Sequence, residues 1–129
     1  NFEEAQARME RYKRLSPLDP HAFFYDTCFI TTAFLRRDYE NAATVARATT
    51  EMNPSFTNAL KPYLAALGYL DFEQETASVR TRLLALEPRY TVEQFLLTTP
   101  IERDEDRMHY AIGLRRAGVP AGDIDIAAG

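Results

Sequence analysis

The sequence predicts an all-α protein, and three of its features carry this prediction. Apolar residues recur three and four positions apart along most of the chain, as one face of a helix requires. Proline-containing breaks divide the chain into segments of helix length. No stretch alternates apolar and polar residues over more than a few positions, so a β-strand pattern is missing.

The first helix is predicted over residues 2–15, and SPLDP at 16–20 ends it. Its apolar positions share one face: Phe2, Ala5, Met9, Tyr12 and Leu15. Asp19 offers an N-cap and Pro20 the first helical position of a second helix, which we expect over 20–36.

The third helix is expected over 38–52, with Asp38 as its N-cap. Its inner stripe is predicted to be Tyr39, Ala42, Ala43, Ala46 and Thr49. Pro54 breaks the chain before a fourth helix at 57–70. Pro62 falls inside that fourth helix, and we expect a kink there unless the helix starts late.

Three more helices are expected in the second half of the chain. A fifth covers 72–86, and its inner side is predicted to carry Leu83, Leu84 and Leu86. Thr91 and Gln94 have capping-box spacing for a short sixth helix, which Pro100 ends. A seventh opens at Asp104 and is closed by Gly118 and Pro120.

A repeat organises these helices. MNPSF at 52–56 and LEPRY at 86–90 place Pro54 and Pro88 34 residues apart, and a period near this length, filled by two helices, is typical of a helical-hairpin solenoid. Each hairpin is too small to bury its own apolar face, so it must stack on its neighbours. We therefore expect one domain over 1–129, with these parts: 1–17 the second helix of a truncated repeat, 20–54 and 55–88 two repeats, 89–120 C-terminal capping helices, and 121–129 a frayed tail.

Composition excludes several function classes. With 129 residues, 46% hydrophobic and 26% charged, the chain is of globular type and long enough for a modest core. A net charge of −4 gives no reason to expect nucleic acid, and no apolar run is long enough for a membrane helix. The single Cys28 fits a reducing compartment, so we expect a cytoplasmic protein. Because the opening residues look like the middle of a helix, we expect a piece of a longer protein.

Two segments resemble the tetratricopeptide repeat family: RDYENAATVARATTEMNP at 37–54 and ALKPYLAALGYLDFEQETASVRTRLLALEP at 59–88. The resemblance implies a right-handed superhelix of stacked antiparallel hairpins, with about seven helices here. The chain as a whole also resembles the repeat regions of bacterial signalling proteins, such as the C-terminal parts of some class III adenylate cyclases. The sequence departs from the family at three pairs of positions: Asp26 and Leu60 replace an aromatic residue, Ile30 and Leu64 a glycine, and Arg37 and Asp71 the turn glycine. These departures bear on curvature and leave the fold class unchanged.

The family resemblance implies a concave groove that binds a partner segment. Carried over position by position, the groove residues are Phe24, Thr27, Thr31, Phe34, Leu35, Asn58, Lys61, Ala65 and Tyr69. Aromatic residues at helical spacing are more often core than binding surface, so Phe24 and Phe34 also fit a core role. A family subclass that clamps a terminal carboxylate needs an asparagine where Ala65 stands, and we exclude it.

Nothing in the sequence indicates catalysis, a cofactor or a metal. His21 and His109 have no ligand at metal-site spacing, Cys28 has no histidine nearby and is expected to be structural, and no glycine-rich loop is present. The acidic clusters lie near predicted helix starts, where they complement the helix dipole. The expected function is therefore a non-catalytic protein-interaction scaffold. The alternative is a self-association element, a homodimer through the N-terminal end, where Phe2, Met9 and Tyr12 need cover.

Overall fold

A computed structural model describes residues 2–7 and 20–123, apart from the side chains of 20–24. Within these ranges the chain forms seven helical segments and no strand, which confirms the predicted all-α class. The segments are α1 (2–7), α2 (Pro20–Leu35), α3 (Tyr39–Met52), α4 (Thr57–Leu67), α5 (Glu73–Leu86), α6 (Val92–Thr98) and α7 (Asp104–Arg116). The predictions for Met9, Tyr12, Leu15, Asp19 and the tail beyond 123 lie outside the described residues.

Local capping signals place two helix starts where the sequence predicts them. The Asp38 carboxylate accepts a hydrogen bond from the Asn41 backbone N–H, at 3.4 Å, and begins α3. The Thr91 hydroxyl accepts one from the Gln94 N–H at 3.0 Å and begins α6. Each side chain satisfies a backbone donor that the first turn of a helix leaves free.

The fourth helix, α4, is the common neighbour of the other large elements. It packs against α2, α3, α5 and α7, while α2 also packs on α3, and α6 on α7. All residues of α4 from Pro62 to Leu67 are buried. The helix runs past Pro62 but ends at Leu67, not at residue 70 as predicted, because the chain enters a tight turn at Gly68.

The two copies of the repeated motif adopt the same turn. Asn53 and Glu87 end α3 and α5 with φ/ψ of −140°/81° and −131°/78°. Their N–H groups donate to the carbonyls four residues earlier, at 3.0 Å and 2.8 Å. Phe56 and Tyr90 then donate back to the Asn53 and Glu87 carbonyls, at 3.1 Å and 3.0 Å. MNPSF and LEPRY are thus repeated in structure as well as in sequence.

Burial repeats with the same spacing. Five pairs of residues 34 positions apart are buried in both copies: Asp26 and Leu60, Phe29 and Tyr63, Ile30 and Leu64, Ala33 and Leu67, Thr49 and Leu83. The polar member Asp26 accepts a hydrogen bond from the Thr49 hydroxyl at 2.8 Å. Equivalent positions therefore build the core in both helix pairs.

The inner side of α5 is narrower than predicted. Val79 and Leu83 are buried and Leu84 is partly buried, but Leu86 is 41% exposed, so its predicted core role is wrong. The main packing partner of α5 is α4 alone. A helix with one neighbour buries a narrow stripe with residues four positions apart, and Leu86 lies outside this stripe.

Candidate partner-binding surface

The nine predicted groove residues do not share one environment. Phe34 and Ala65 are fully buried, and Asn58 is exposed. The others whose side chains are described are partly buried: Thr27, Thr31, Leu35, Lys61 and Tyr69. The side chain of Phe24 lies outside the described residues.

Phe34 and Ala65 are buried because α7 packs over them. The Phe34 ring centroid lies 5.2 Å from those of His109 and Tyr110, both on α7. A Cβ atom built on Gly113 would lie 2.5 Å from the Ala65 carbonyl oxygen, so the α7 backbone almost touches α4. Phe34 and Ala65 are therefore covered by α7 and are not accessible to a partner in this structure.

Two glycines permit this close approach of α4 and α7. A Cβ atom built on Gly68 would lie 2.0 Å from the Gly113 carbonyl oxygen, well inside van der Waals contact. Gly68 and Gly113 are 45 positions apart in the chain (113 − 68), so no local sequence pattern predicts their contact.

His109 connects α7 to both helix pairs and is the main feature that sequence reasoning missed. Its Nε2 lies 2.7 Å from the Tyr39 hydroxyl, at the start of α3. Its Nδ1 lies 3.1 Å from the Tyr69 hydroxyl, which also donates to the His109 carbonyl oxygen at 2.7 Å. The Tyr69 and His109 rings stack with centroids 4.3 Å apart. Tyr39 and Tyr69 lie far from His109 in sequence, so no spacing pattern points to this cluster.

The surroundings of His109 favour its neutral form. Burial lowers the pKa of the His109 imidazole below its ordinary value, and Arg37 and Arg116 lower it further, while Asp106 opposes them. Arg37 and Asp106 are themselves paired at 3.4 Å. Burial also raises the pKa of Tyr39, so its hydroxyl keeps its proton.

Lys61 is engaged within the chain. Its Nζ pairs with a Glu87 carboxylate oxygen at 3.2 Å and lies 4.8 Å from the centroid of the Tyr90 ring. Both partners belong to the second copy of the repeated turn. Lys61 therefore links α4 to this turn, and a partner would meet a charge that Glu87 already offsets.

A second polar network connects three helices. Arg47 on α3 forms two hydrogen bonds to the Glu75 carboxylate on α5, at 2.9 Å and 3.0 Å, and Tyr63 on α4 donates its hydroxyl to the same carboxylate. Burial first, and then the bond to Glu75, raise the pKa of Tyr63. This paired arrangement of guanidinium and carboxylate fixes the relative position of the two helix pairs.

The candidate residues that stay accessible on α2 form a stripe. Thr27, Thr31 and Leu35 are spaced by four, so they share one face of α2. Asn58 is exposed on α4, which packs directly against α2. These four residues are called the α2–α4 stripe below.

The described residues show few features that are typical of a catalytic or metal-binding site. No group of three or more His, Cys, Asp or Glu side chains within them is placed to hold a metal ion. Cys28, expected to be structural, is exposed. None of the described helices has both the length and the apolar character needed to cross a membrane.

Comparisons with protein-family models, with curated proteins and with solved structures found no significant match to this chain.

Proposed function

We propose that this protein is a non-catalytic, cytoplasmic interaction scaffold of the tetratricopeptide type, whose stacked hairpins form a right-handed superhelix. The observation that carries the proposal is the repeat itself. Turn geometry, hydrogen bonding and burial recur at a spacing of 34 residues in two successive helix pairs. Stacked pairs of this kind present extended surfaces that bind other protein segments.

The proposed binding surface is the α2–α4 stripe. It combines hydroxyl groups from Thr27 and Thr31, an amide from Asn58 and the apolar side chain of Leu35. This mixture suits a partner segment that places one apolar side chain against Leu35 and presents backbone or side-chain polar groups to the polar residues of the stripe. A segment of another protein, or of a neighbouring domain of the same parent chain, could supply it.

A charge-insertion variant tests this surface. Thr31→Glu with Asn58→Glu adds two carboxylates to the stripe, and the matched control is Thr44→Glu with Ser78→Glu, which adds two at exposed positions of α3 and α5. Peptides selected from a displayed library against the wild-type chain are then measured by fluorescence anisotropy against all three proteins. We expect the stripe variant to lose about tenfold in affinity, or ~1.4 kcal/mol, and the control to bind as the wild type does.

Equal affinity of selected peptides for the stripe variant and for the control would reject the stripe as the binding surface. Circular dichroism melts of all three proteins establish that each is folded before affinities are compared. Failure to select any peptide would count against the scaffold function itself.

Self-association is the second candidate, because an aromatic surface lies near the N-terminal part of the fold. Phe2 stacks on Phe29 with centroids 5.1 Å apart, yet stays partly exposed, and Tyr25 is 45% exposed. Light scattering over a range of concentrations would detect a dimer. If Tyr25 lies in the interface, Tyr25→Glu would shift the protein to monomer, whereas an unchanged mass would remove this candidate.

A further inference from the structure

We propose that the surface beneath α7 is a groove that binds a helix of another protein, and that α7 occupies it as an internal copy of that ligand. This surface, called the helix groove below, is lined by Phe34, Arg37, Tyr39, Ala65, Gly68 and Tyr69. The inference rests on the proposed scaffold function and names the class of partner. Three of the predicted groove residues contact α7: Phe34, Ala65 and Tyr69.

The side of α7 that meets the helix groove carries its contact residues at helical spacing. They follow one another by one, three or four positions: Asp106, His109, Tyr110, Gly113 and Arg116. Residues with these separations lie on one face of an α-helix. Anchors spaced in this way are the means by which a groove recognises a bound amphipathic helix.

Charge complementarity sets the direction of the bound helix. The Arg37 guanidinium, in the turn after α2, pairs with Asp106 in the first turn of α7 at 3.4 Å. In the last turn of α7, the Arg116 guanidinium carbon lies 4.7 Å from the centroid of the Tyr69 ring, a cation–π arrangement. The helix groove therefore favours a helix that begins with a carboxylate and ends with a cation.

The middle of the helix groove accepts a ring and then a residue without a side chain. The His109 Nε2 lies 2.7 Å from the Tyr39 hydroxyl, and the His109 ring stacks on Tyr69 with centroids 4.3 Å apart. One turn later, a Cβ atom on Gly113 would lie 2.5 Å from the Ala65 carbonyl oxygen, a backbone atom. The partner class is thus a helix with an acid, a ring, a glycine and a cation on one face.

α7 belongs to an arm, residues 92–121, that is bonded within itself. The N–H groups of Val92 and Glu93 donate to the carbonyls of Pro120 and Ala121, at 2.9 Å and 3.1 Å. The main packing of α6 is on α7, and that of α7 is on α4 and α6. Displacing the arm therefore breaks mainly its contacts with the helix groove. Because the arm is tethered at an effective concentration on the order of millimolar, an external helix gains when α7 is weakened.

A peptide of residues 102–121 tests the helix groove on the intact chain. The fluorescein-labelled peptide is titrated into the wild type and into Gly113→Ala, in which the chain's own α7 no longer fits against α4. We expect the Gly113→Ala chain to bind the peptide about tenfold more tightly in fluorescence anisotropy, since its groove is less occupied. Equal affinity for the two chains, or no binding to either, would overturn the proposal.

Asp106→Ala is a milder variant that applies even if Gly113→Ala does not fold. It removes the ion pair with Arg37 and should raise the affinity of the chain for the peptide about threefold. The matched control is Glu105→Ala, which removes the neighbouring carboxylate, paired with Arg103 at an exposed site. Both variants lose one charge from the first turn of α7, so the same affinity in both would contradict a role for Arg37 in the helix groove.

Variants of the peptide separate recognition from helix formation. Alanine favours a helix more than glycine does, yet we expect the Gly113→Ala peptide to bind about tenfold more weakly because its methyl group meets the α4 backbone. Met108→Ala, at an exposed position of α7, is the matched control and should bind as the wild-type peptide does. Tighter binding of the Gly113→Ala peptide would mean that helicity alone sets the affinity, and would reject the helix groove.

The remaining outcomes identify other occupants and separate the two proposals. A wild-type dimer in light scattering that the peptide converts to monomer would assign the helix groove to α7 of a second copy. Library peptides that bind the α2–α4 stripe, with no binding of the α7 peptide, would reject the helix groove and leave the scaffold function. Binding of the α7 peptide alone would support the helix groove and reject the stripe.

Discussion

Arg37 has a backbone conformation that residues with a side chain rarely adopt. Its φ is 67°, in the left-handed region, and it ends α2 with paired hydrogen bonds, from Arg37 to Phe34 and from Asp38 to Ala33. Gly118, with φ of 97°, ends α7 by the same pattern, in which the N–H of residue 118 bonds residue 115 and that of 119 bonds 114. This pattern is the Schellman motif, which usually uses glycine.

Replacing Arg37 separates backbone strain from side-chain contacts. Arg37→Gly and Arg37→Ala both remove the ion pair with Asp106, but only glycine relieves the left-handed conformation. We expect Arg37→Gly to be more stable than Arg37→Ala by about 1 kcal/mol, since strain outweighs the extra freedom of glycine in the unfolded chain. Urea denaturation followed by circular dichroism measures the difference. Equal midpoints for the two variants would mean that no strain is stored at this residue.

Single residues also define the limits of prediction from sequence. The caps Asp38 and Thr91 act on backbone groups three residues away, so their local pattern is sufficient to predict them. His109 has no such pattern, because Tyr39 and Tyr69 reach it only after the chain has folded. The exposure of the predicted groove residues is equally hidden from local sequence patterns, because it depends on where α7 lies.

For the helices, local sequence signals predict where each one starts, whereas long-range packing determines where it lies in the fold. The starts of α2, α4 and α7 follow from Pro20, Pro54 and Asp104, and agree with prediction. The position of α7 does not follow from local signals, because α7 packs on α4, which lies far from it in the sequence. Its placement depends on two glycines that look unremarkable in sequence, Gly68 and Gly113.

Gly113→Ala should disrupt the contact between α4 and α7. The added methyl group would meet the Ala65 carbonyl, a backbone atom that cannot rotate away, so α7 must shift. Overpacking of this kind costs typically ~1–3 kcal/mol. Thermal denaturation would measure the loss of stability, with Ser78→Ala on the exposed side of α5 as the control that should stay near the wild type. A Gly113→Ala protein as stable as the control would show that the two helices are less close than described.

At the scale of the whole molecule, α4 joins the two helix pairs and α7. Leu60 and Leu64 are fully buried, at positions equivalent to Asp26 and Ile30 of the first pair. Since α2, α3, α5 and α7 all rest on α4, its loss removes a packing surface from each of them. We therefore expect the described helices to unfold together.

Leu64→Ala tests this cooperativity. The lost apolar contacts and the cavity should destabilise the fold by ~2–5 kcal/mol. Leu97→Ala is the matched control, because Leu97 is 78% exposed and its truncation should change stability by less than about 0.5 kcal/mol. Far-ultraviolet circular dichroism and tyrosine fluorescence should give coincident transitions in each protein. Separate transitions in Leu64→Ala would mean that the helix pairs are independent.

The matching junctions at Asn53 and Glu87 have a consequence for length. Because both leave their helix with nearly the same φ and ψ and are followed by the same backbone bond, the chain after either one sets off in an equivalent direction. A copy of residues 55–88 inserted after Pro88 would therefore begin from a turn with the same backbone geometry as its own. We expect the chain to accept one such 34-residue unit at this junction without a change in the residues that precede it.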